Sequence, residues 1–291
     1  MASPKRFFVG GNFKAAGNTA TVAKMVATLN SLGNLPSNTE VVIAPSALHI
    51  GGVKAALRED IGLAVQDVHT ARGFGAYTGA HTADLVADAG LKWTLVGHSE
   101  RRVVFGETDA ATAAKTAAAL DAGLSVLFCI GESLAEREAG ATMAVCQRQL
   151  SVLTASGGAP IPAAAWSRVV VAYEPVWAIG TGKVATPAQA QEVHASLRAW
   201  LAVEVGAEVA AALRIVYGGS VNVRAGLAVS RVRPLPPTPP NPPTPTPRAP
   251  TRWCSARSST WTGSWWAAPR SSQSLWRSSR RSSTRKKRRR S

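Results

Sequence analysis

Short apolar runs alternate along the chain with longer segments in which apolar residues recur every three or four positions. The runs are nearly continuous in Val, Ile and Leu, which is typical of strands buried on both faces of a parallel sheet. Alternating strands and helices predict an α/β fold with right-handed crossovers. The predicted strands are Arg6–Gly11, Val41–Ala44, Gly62–Val65, Trp93–Val96, Leu124–Ile130, Val169–Tyr173 and Leu213–Tyr217.

One intervening segment carries a full set of helix signals. Thr186 is a suitable N-cap, Pro187 fits the first helical position, and Gln189 can close a capping box. Apolar residues then recur at helical spacing as far as Leu201. These signals predict a helix over Thr186–Leu201.

Polar side chains follow most of the predicted strands. They are Asn12 and Lys14 after the first strand, His98 after the fourth, Glu132 after the fifth, Glu174 after the sixth and Ser220 after the seventh. An open doubly wound sheet and a closed barrel can both begin with this alternation. An open sheet concentrates its chemistry in one or two loops, and no GxGxxG motif follows the first strand. Because all the carboxyl ends of a barrel surround one mouth, the pattern favours a barrel.

The basic charge of the chain is confined to its C-terminal part. The 291 residues include 33 Lys or Arg and 17 Asp or Glu, giving a formal net charge of +16. Residues 229–291 contain fifteen of the basic side chains and no acidic one, which leaves 18 basic and 17 acidic residues before them. Net charge therefore gives no reason to assign nucleic-acid binding to the α/β part.

Several classes of protein are excluded by the same survey. No apolar run approaches the roughly 18 residues of a membrane span, and the apolar start is too short for a signal-peptide core. Cys129, Cys146 and Cys254 lack metal-ligand spacing and make no disulfide framework. These features predict a reduced, cytoplasmic protein without a metal site.

Two titratable residues at the predicted barrel mouth are candidates for acid–base chemistry. His98 follows a buried run and precedes Ser99 and Glu100, so we expect a helix N-terminus beside it, which favours a neutral, proton-donating imidazole. A hydrogen-bonded structural histidine is the alternative. Glu174 ends the run Val169–Tyr173, where a carboxylate is costly unless it is paired or used. For Glu174 the alternative is a salt bridge to a nearby Lys or Arg.

Three further features surround the same mouth. Gly218-Gly219-Ser220 places backbone N–H groups beside a hydroxyl at a strand end, a common way to hold phosphate, although paired glycines also occur in ordinary turns. Lys14 adds a fixed positive charge, with a solvated lysine as the alternative. The loop Pro175–Lys183 has an apolar middle and glycines at its far end, which is typical of a lid that excludes water.

Five strings together are far more specific than any one of them. They are Gly10-Gly-Asn-Phe-Lys14, Gly97-His-Ser-Glu-Arg-Arg102, Cys129-Ile-Gly-Glu132, Ala172-Tyr-Glu-Pro-Val-Trp-Ala-Ile-Gly-Thr-Gly-Lys183 and Tyr217-Gly-Gly-Ser-Val-Asn222. Their order and intervals resemble the triosephosphate isomerase family over about residues 6–222. The resemblance implies a (β/α)8 barrel, normally a homodimer. It also implies interconversion of dihydroxyacetone phosphate and glyceraldehyde 3-phosphate without a metal or a cofactor.

The resemblance also assigns catalytic roles. It implies that Glu174 moves a proton between two substrate carbons and that His98 polarises the carbonyl, a pairing for which this family is itself the well-known example. Lys14 would offset the negative charge of the phosphate and enediolate. Asn12 would help to hold the substrate oxygens, and Glu100 would support the site from behind.

The remaining implied roles concern phosphate and the partner subunit. Gly180 and Ser220 would donate hydrogen bonds to the phosphate once the lid closes, and the closed lid would protect the enediolate from losing phosphate. Thr78 lies at the tip of a loop that resembles the one reaching into the partner subunit. Ala80 stands where the family usually has Glu, so one subunit-crossing contact is absent, and Asp67 is a milder departure.

The resemblance ends after Asn222. A family member would continue through a helix and an eighth strand that ends in a phosphate-binding Gly-Gly pair. Here ten prolines lie between Pro234 and Pro250, and Arg/Ser/Trp-rich sequence follows. We therefore divide the chain into an incomplete seven-stranded barrel over residues 1–222 and a tail over residues 223–291 without the periodicity of a packed domain.

The genetic code indicates an origin for this tail. Read one frame over, the codons of residues 260–276 can spell Val-Asp-Gly-Phe-Leu-Val-Gly-Gly-Ala-Ser-Leu-Lys-Pro-Glu-Phe-Val, which resembles the missing strand and phosphate loop. Tryptophan has a single codon, TGG, so it and the residue after it can force a codon in the shifted frame. The Asp, Val and Gly that are forced in this way agree with the family's sequence. Val223 also requires a codon that begins with GT, as an intron does. We interpret the tail as a translated intron followed by a frameshift, and we expect little or no isomerase activity from the 291-residue chain.

The alternative hypothesis takes the tail at face value. On this view the barrel is catalytically dead, and the run Arg285–Arg290 binds nucleic acid or an anionic membrane. The tail tryptophans would then stack on bases.

Overall fold

The seven apolar runs form one parallel sheet in the computed structural model, which describes residues 6–158, 160–179 and 184–220. The strands are neighbours in chain order, and each adjacent pair is parallel. The strands are β1 Phe7–Asn12, β2 Thr39–Ala44, β3 Ile61–Val65, β4 Trp93–Val96, β5 Ser125–Ile130, β6 Val169–Tyr173 and β7 Arg214–Tyr217. All seven predicted strands are confirmed, two with the predicted bounds and five within two residues of them.

Helices connect successive strands, as parallel neighbours require. They are α1 Thr19–Asn30, α2 Ile50–Ala56, α3 Ala83–Asp88, α4 Ser99–Val104, α5 Asp109–Asp121, α6 Leu134–Glu138, α7 Thr142–Ser151, α8 Pro187–Glu204 and α9 Ala207–Ala212. The predicted start of α8 is confirmed, because Thr186 caps it, Pro187 occupies its first turn and Gln189 closes the capping box. The helix continues three residues beyond the predicted end at Leu201.

The sheet curls into a nearly closed barrel. One buried cluster collects inward-facing side chains from all seven strands, which a flat sheet does not allow. Its members are Phe8, Val42, Ala44, Ala64, Trp93, Leu95, Leu127, Cys129, Val170, Ala172 and Val216. Arg214 on β7 reaches across the amino-terminal end to pair with Glu40 on β2, and its guanidinium lies 5.6 Å from the centre of the Phe8 ring.

A second, larger cluster lies between the sheet and its helices. It contains Leu150 of α7, Leu197 and Leu201 of α8, and Phe128 from the outer face of β5. Apolar burial on both faces explains why the strand sequences are almost continuously hydrophobic. The architecture is that of a (β/α)8 barrel of which the described residues supply seven strands. Gly180 and the predicted tail, residues 223–291, lie outside the described residues.

Candidate active site

Glu174 follows β6 and is 1% exposed. Its Oε2 accepts a hydrogen bond of 2.9 Å from the backbone N–H of Ser99, at the start of α4. Its Oε1 has no hydrogen-bond partner among the described residues and lies 3.4 Å from Nε2 of His98. The carboxylate is therefore held through one oxygen, and the other is close to an imidazole nitrogen.

His98 connects β4 to α4 as the N-cap of that helix, so the predicted helix start beside it is confirmed. Its Nδ1 accepts a hydrogen bond of 3.1 Å from the backbone N–H of Glu100. A ring nitrogen that accepts an N–H carries no proton itself, so this contact favours the neutral ring protonated on Nε2. That nitrogen is the one near Glu174, which leaves the imidazole oriented as a donor.

Lys14 has a backbone φ of 52°, in the left-handed region that residues other than glycine rarely occupy. Two side chains secure this conformation: Asn12 Oδ1 accepts the Lys14 N–H at 2.8 Å, and Gln66 Nε2 donates to the Lys14 carbonyl at 2.9 Å. Lys14 Nζ lies 2.8 Å from Glu100 Oε1. The ammonium is therefore positioned beside α4 rather than fully solvated.

The end of β7 lies beside the end of β6. The Gly218 N–H donates to the Tyr173 carbonyl at 2.6 Å, one residue before Glu174. A side chain at Gly219 would overlap the Tyr217 hydroxyl, so any larger residue would have to displace the buried Tyr217 ring. Ser220 is half-buried at the same barrel mouth.

The structure groups five of the predicted site residues. Asn12, Lys14, His98, Glu100 and Glu174 are linked by the contacts above. Thr78 lies apart from this group, on an exposed turn between β3 and α3. The predicted phosphate contact at Gly180 falls outside the described residues.

Glu132 has a role at the site that the sequence did not reveal. This carboxylate is completely buried, and its Oε1 accepts hydrogen bonds from Tyr173 Oη at 3.0 Å, Trp177 Nε1 at 3.0 Å and Arg137 at 3.2 Å. Burial and the Glu132 charge both raise the pKa of Tyr173, so its hydroxyl remains a donor. Glu132 thus fixes both the residue before Glu174 and the loop after it. Its position after β5 and its place in the string Cys129-Ile-Gly-Glu132 were the sequence signals, and neither indicated these contacts.

Ser99 and Gln66 were also missed. Both act through hydrogen bonds to groups far away in the sequence, Ser99 to Glu174 and Gln66 to Lys14. Cys129, by contrast, is a fully buried core residue, and burial, then the neighbouring Glu174 charge, raise the pKa of its thiol. The described residues contain no group of three or more His, Cys, Asp or Glu side chains placed to hold a metal ion.

Comparison with known proteins places this geometry in context. The model of the triosephosphate isomerase family matches residues 7–229, more than half of the chain. The chain belongs to the triosephosphate isomerase family. The match includes every site residue predicted from the sequence, from Asn12 to Ser220.

Relatives that carry this family's name come from fungi and plants. Triosephosphate isomerase of Emericella nidulans is 48% identical over 219 residues, which are 75% of this chain and 86% of that protein. The chloroplastic triosephosphate isomerase of Fragaria ananassa is 49% identical over 222 residues, covering 76% of this chain and 68% of that protein. The cytosolic triosephosphate isomerase of Stellaria longipes is 46% identical over 228 residues, covering 78% of this chain and 86% of that protein.

None of the helices in the described residues has both the length and the apolar character that a membrane span needs.

Proposed function

We propose that this chain carries the site of a triosephosphate isomerase, which interconverts dihydroxyacetone phosphate and glyceraldehyde 3-phosphate. The observation that carries the proposal is the Glu174–His98 pair, with Oε1 and Nε2 3.4 Å apart at the barrel mouth. Glu174 is a buried carboxyl group whose Oε1 has no hydrogen-bond partner among the described residues, and His98 accepts an N–H at Nδ1, which favours Nε2 as the donor. Proton transfer between adjacent carbons requires this pairing of a base and an acid.

The reaction follows from these positions. Glu174 removes a proton from the hydroxyl-bearing carbon next to the ketone, and the freed electron pair forms a carbon–carbon double bond. The Nε2–H of His98 stabilises the charge that develops on the carbonyl oxygen. Return of the proton from Glu174 to the former carbonyl carbon gives the aldehyde, while His98 shuttles protons between the two oxygens.

Charge compensation comes from the first strand. The Lys14 ammonium, kept beside α4 by Glu100, offsets the negative charge of phosphate and enediolate, and Asn12 orients the substrate oxygens. Ser220 donates to the phosphate, together with Gly180 when the lid closes. The reaction uses no metal or cofactor, because the base, the acid and the cation are all protein groups.

The acid–base assignment is tested by Glu174→Gln and His98→Gln. Each removes a proton-transferring group while keeping a polar side chain of similar size. We expect kcat to fall by about 10²- to 10⁴-fold with a much smaller change in KM, the range that general acid–base catalysis contributes. His81→Gln, at an exposed histidine, is the matched control. A Glu174→Gln variant with unchanged kcat would disprove the assignment.

We also propose that residues 223–291 arise from a translated intron and a frameshift, and that the 291-residue chain is a weak isomerase for that reason. Two chains should be compared under the same conditions, the present one and one with the other reading frame restored. We expect kcat/KM to rise by at least 100-fold in the restored chain, because its Gly-Gly pair adds phosphate donors. Equal activities would overturn this proposal.

Self-association is supported by exposed large apolar side chains in the segments that follow β2, β3 and β4. They are Leu48, Phe74, Tyr77, Val103, Val104 and Phe105, each at least 45% exposed, and we propose that they form one surface. Apolar patches of this kind mark protein–protein interfaces. We propose a homodimer that buries this surface and brings Thr78 into the partner subunit. Sedimentation should show a dimer for the wild-type chain and a monomer for Phe105→Asp. The same mass for both would exclude this surface as the dimer interface.

We propose the cytoplasm as its compartment. Both cysteines that the structure describes are unpaired, as in a reducing environment. Relatives of similar identity include a cytosolic and a chloroplastic protein, so cell fractionation decides between these two.

A further inference from the structure

A buried amide in the outer helical layer is bonded to the end of strand β5. Gln149 lies on α7 and is 5% exposed. Its Oε1 accepts the Gly131 N–H at 2.7 Å, and its Nε2 donates to the Gly131 carbonyl at 3.1 Å. The pairing of β5 with β6 ends at Ile130, so these two groups of Gly131 lie beyond the ladder. A single side chain therefore satisfies both.

The segment around Gly131, to which Gln149 is bonded, is also hydrogen-bonded to the backbone at Glu174. The Glu174 N–H donates to the Ile130 carbonyl at 2.7 Å, and the Val176 N–H donates to the Glu132 carbonyl at 3.0 Å. Between these two bonds the chains approach so closely that a Cβ at Gly131 would be 1.7 Å from the Glu174 carbonyl oxygen. A displacement of Gly131 would therefore displace the Glu174 backbone.

Packing alone does not brace this segment. A cavity of about 270 Å³ lies beside it, lined by Gly131, Gln149, Glu174 and Val176 and also by Ser99, which binds the Glu174 carboxylate. Because neighbouring atoms are missing on this side, dispersion contacts constrain the backbone less than in a filled core. The hydrogen bonds from Gln149 on α7 therefore add a constraint on Gly131 that packing does not supply on this side.

The chemistry of the contact selects an amide. Glutamine offers one acceptor and two donors, so it can bind the N–H and the C=O of one peptide. An ionised Glu at position 149 would accept the N–H but repel the carbonyl. A Leu would leave both backbone groups of the half-buried Gly131 without this side-chain partner, which is costly.

We propose that Gln149 is a positioning residue for Glu174. It acts through Gly131, to which it is bonded across 18 residues of sequence, and it sets the place of the general base without touching substrate. The kinetic consequence rests on the proposed isomerase function. The structural consequence, ordering of the backbone at Glu174 and Val176, does not.

The structural arm measures amide hydrogen exchange on the full chain, with Gln149→Leu compared with Gln147→Leu. Gln147 is half-buried on the same helix and makes the matched control. We expect exchange at Glu174 and Val176 to become about 100-fold faster in Gln149→Leu and to stay within about twofold in the control. Faster exchange at Gly131 alone would overturn the proposal, since Gln149 would then have a local role only.

The kinetic arm separates positioning from loss of stability. At a temperature where both variants are folded, we expect kcat to fall about 10- to 100-fold in Gln149→Leu, with KM changed less than about threefold. Gln149→Glu should be impaired at neutral pH and recover towards the wild type on acidification, because a protonated carboxyl again supplies a donor and an acceptor. Unchanged kcat in Gln149→Leu would refute the proposal. A wild-type chain that stays inactive even after the other reading frame is restored would instead refute its isomerase function, and the exchange result would still decide the role of Gln149.

Discussion

Lowering the pH from 7 to 5 is expected to weaken the fold through His194. This residue lies on α8 and is 7% exposed, with its ring edge-on to Tyr173 at a centroid distance of 5.9 Å. Its Nε2 has no hydrogen-bond partner among the described residues. Burial, and to a smaller extent the Arg198 cation, lower the pKa of His194 from 6.5 to about 4. Protonation would create a buried cation with a second cation as its charged neighbour.

The magnitude follows from proton linkage. The unfolded chain binds this proton near pH 6.5, whereas the folded chain binds it only near pH 4. The stability associated with the neutral ring is therefore fully present above pH 6.5 and is lost as the pH falls towards 4. The difference corresponds to about 3 kcal/mol in all, of which about 2 kcal/mol is lost by pH 5. Against a typical total of about 5 to 15 kcal/mol, this loss is large.

Urea unfolding at a series of pH values measures the effect. For the wild-type chain we expect the midpoint to fall by about 1 M or more between pH 7 and pH 5. Other groups titrate as well: burial raises the pKa of Asp67, so its protonation favours the folded state and partly offsets the loss at low pH. The informative quantity is therefore the difference between the wild type and His194→Phe, which keeps an aromatic ring but cannot be protonated.

His194→Phe should remove most of the pH dependence between 7 and 5 and leave the free energy of unfolding at pH 7 within about 1 kcal/mol of the wild type. His81→Phe, at an exposed histidine, should leave the pH dependence unchanged. If the wild type and His194→Phe lose stability in parallel over this range, the reasoning about burial is wrong. A smaller but real difference would mean that water reaches the ring more easily than its exposure indicates.

Three other substitutions test the packing, the capping and the backbone of the barrel. Leu201→Ala removes a fully buried side chain from the outer cluster and should cost about 2 to 5 kcal/mol in urea unfolding, with wild-type stability refuting its core position. Thr186→Ala breaks the capping box with Gln189 and should lower stability by about 1 kcal/mol, whereas Gln191→Ala should not. Gly97→Ala forces a side chain onto a backbone φ of 71° and within 2.8 Å of the Arg102 guanidinium. We expect a loss of about 1 to 3 kcal/mol by the same assay, and a neutral effect would show that this turn is not strained.

The strands could be predicted because their physical cause is local. Each is a run of apolar residues that must be buried on both faces, and this requirement fixed all seven of them to within two residues. The start of α8 was predictable for a similar reason, since a cap, a proline and a capping box all act within one turn. The end of α8 was harder to predict, because neither glycine nor proline stops the helix between Leu201 and Glu204.

The sequence could indicate the polar residues at the barrel mouth but not their contacts. A polar residue after a buried strand is visible in the sequence, which located His98 and Glu174 at the strand ends. The sequence does not say that Glu174 is held by the Ser99 N–H, a bond that spans 75 residues. It also gives no sign that Lys14 adopts a left-handed backbone, because that conformation depends on Gln66, 52 residues away.

The contacts also show which part of the site depends on which part of the barrel. Glu174 follows β6, and its partners His98 and Ser99 follow β4; both strands pair with β5, which lies between them in fixed register. The proposed acid–base pair therefore requires only this local part of the sheet. Lys14 comes from β1, three strands from β4, and reaches the pair through one ion pair with Glu100 whose side chains are 26% and 46% exposed. Exposed ion pairs contribute little. A disturbance of the barrel near β1 should therefore weaken charge compensation before it disturbs the acid–base pair.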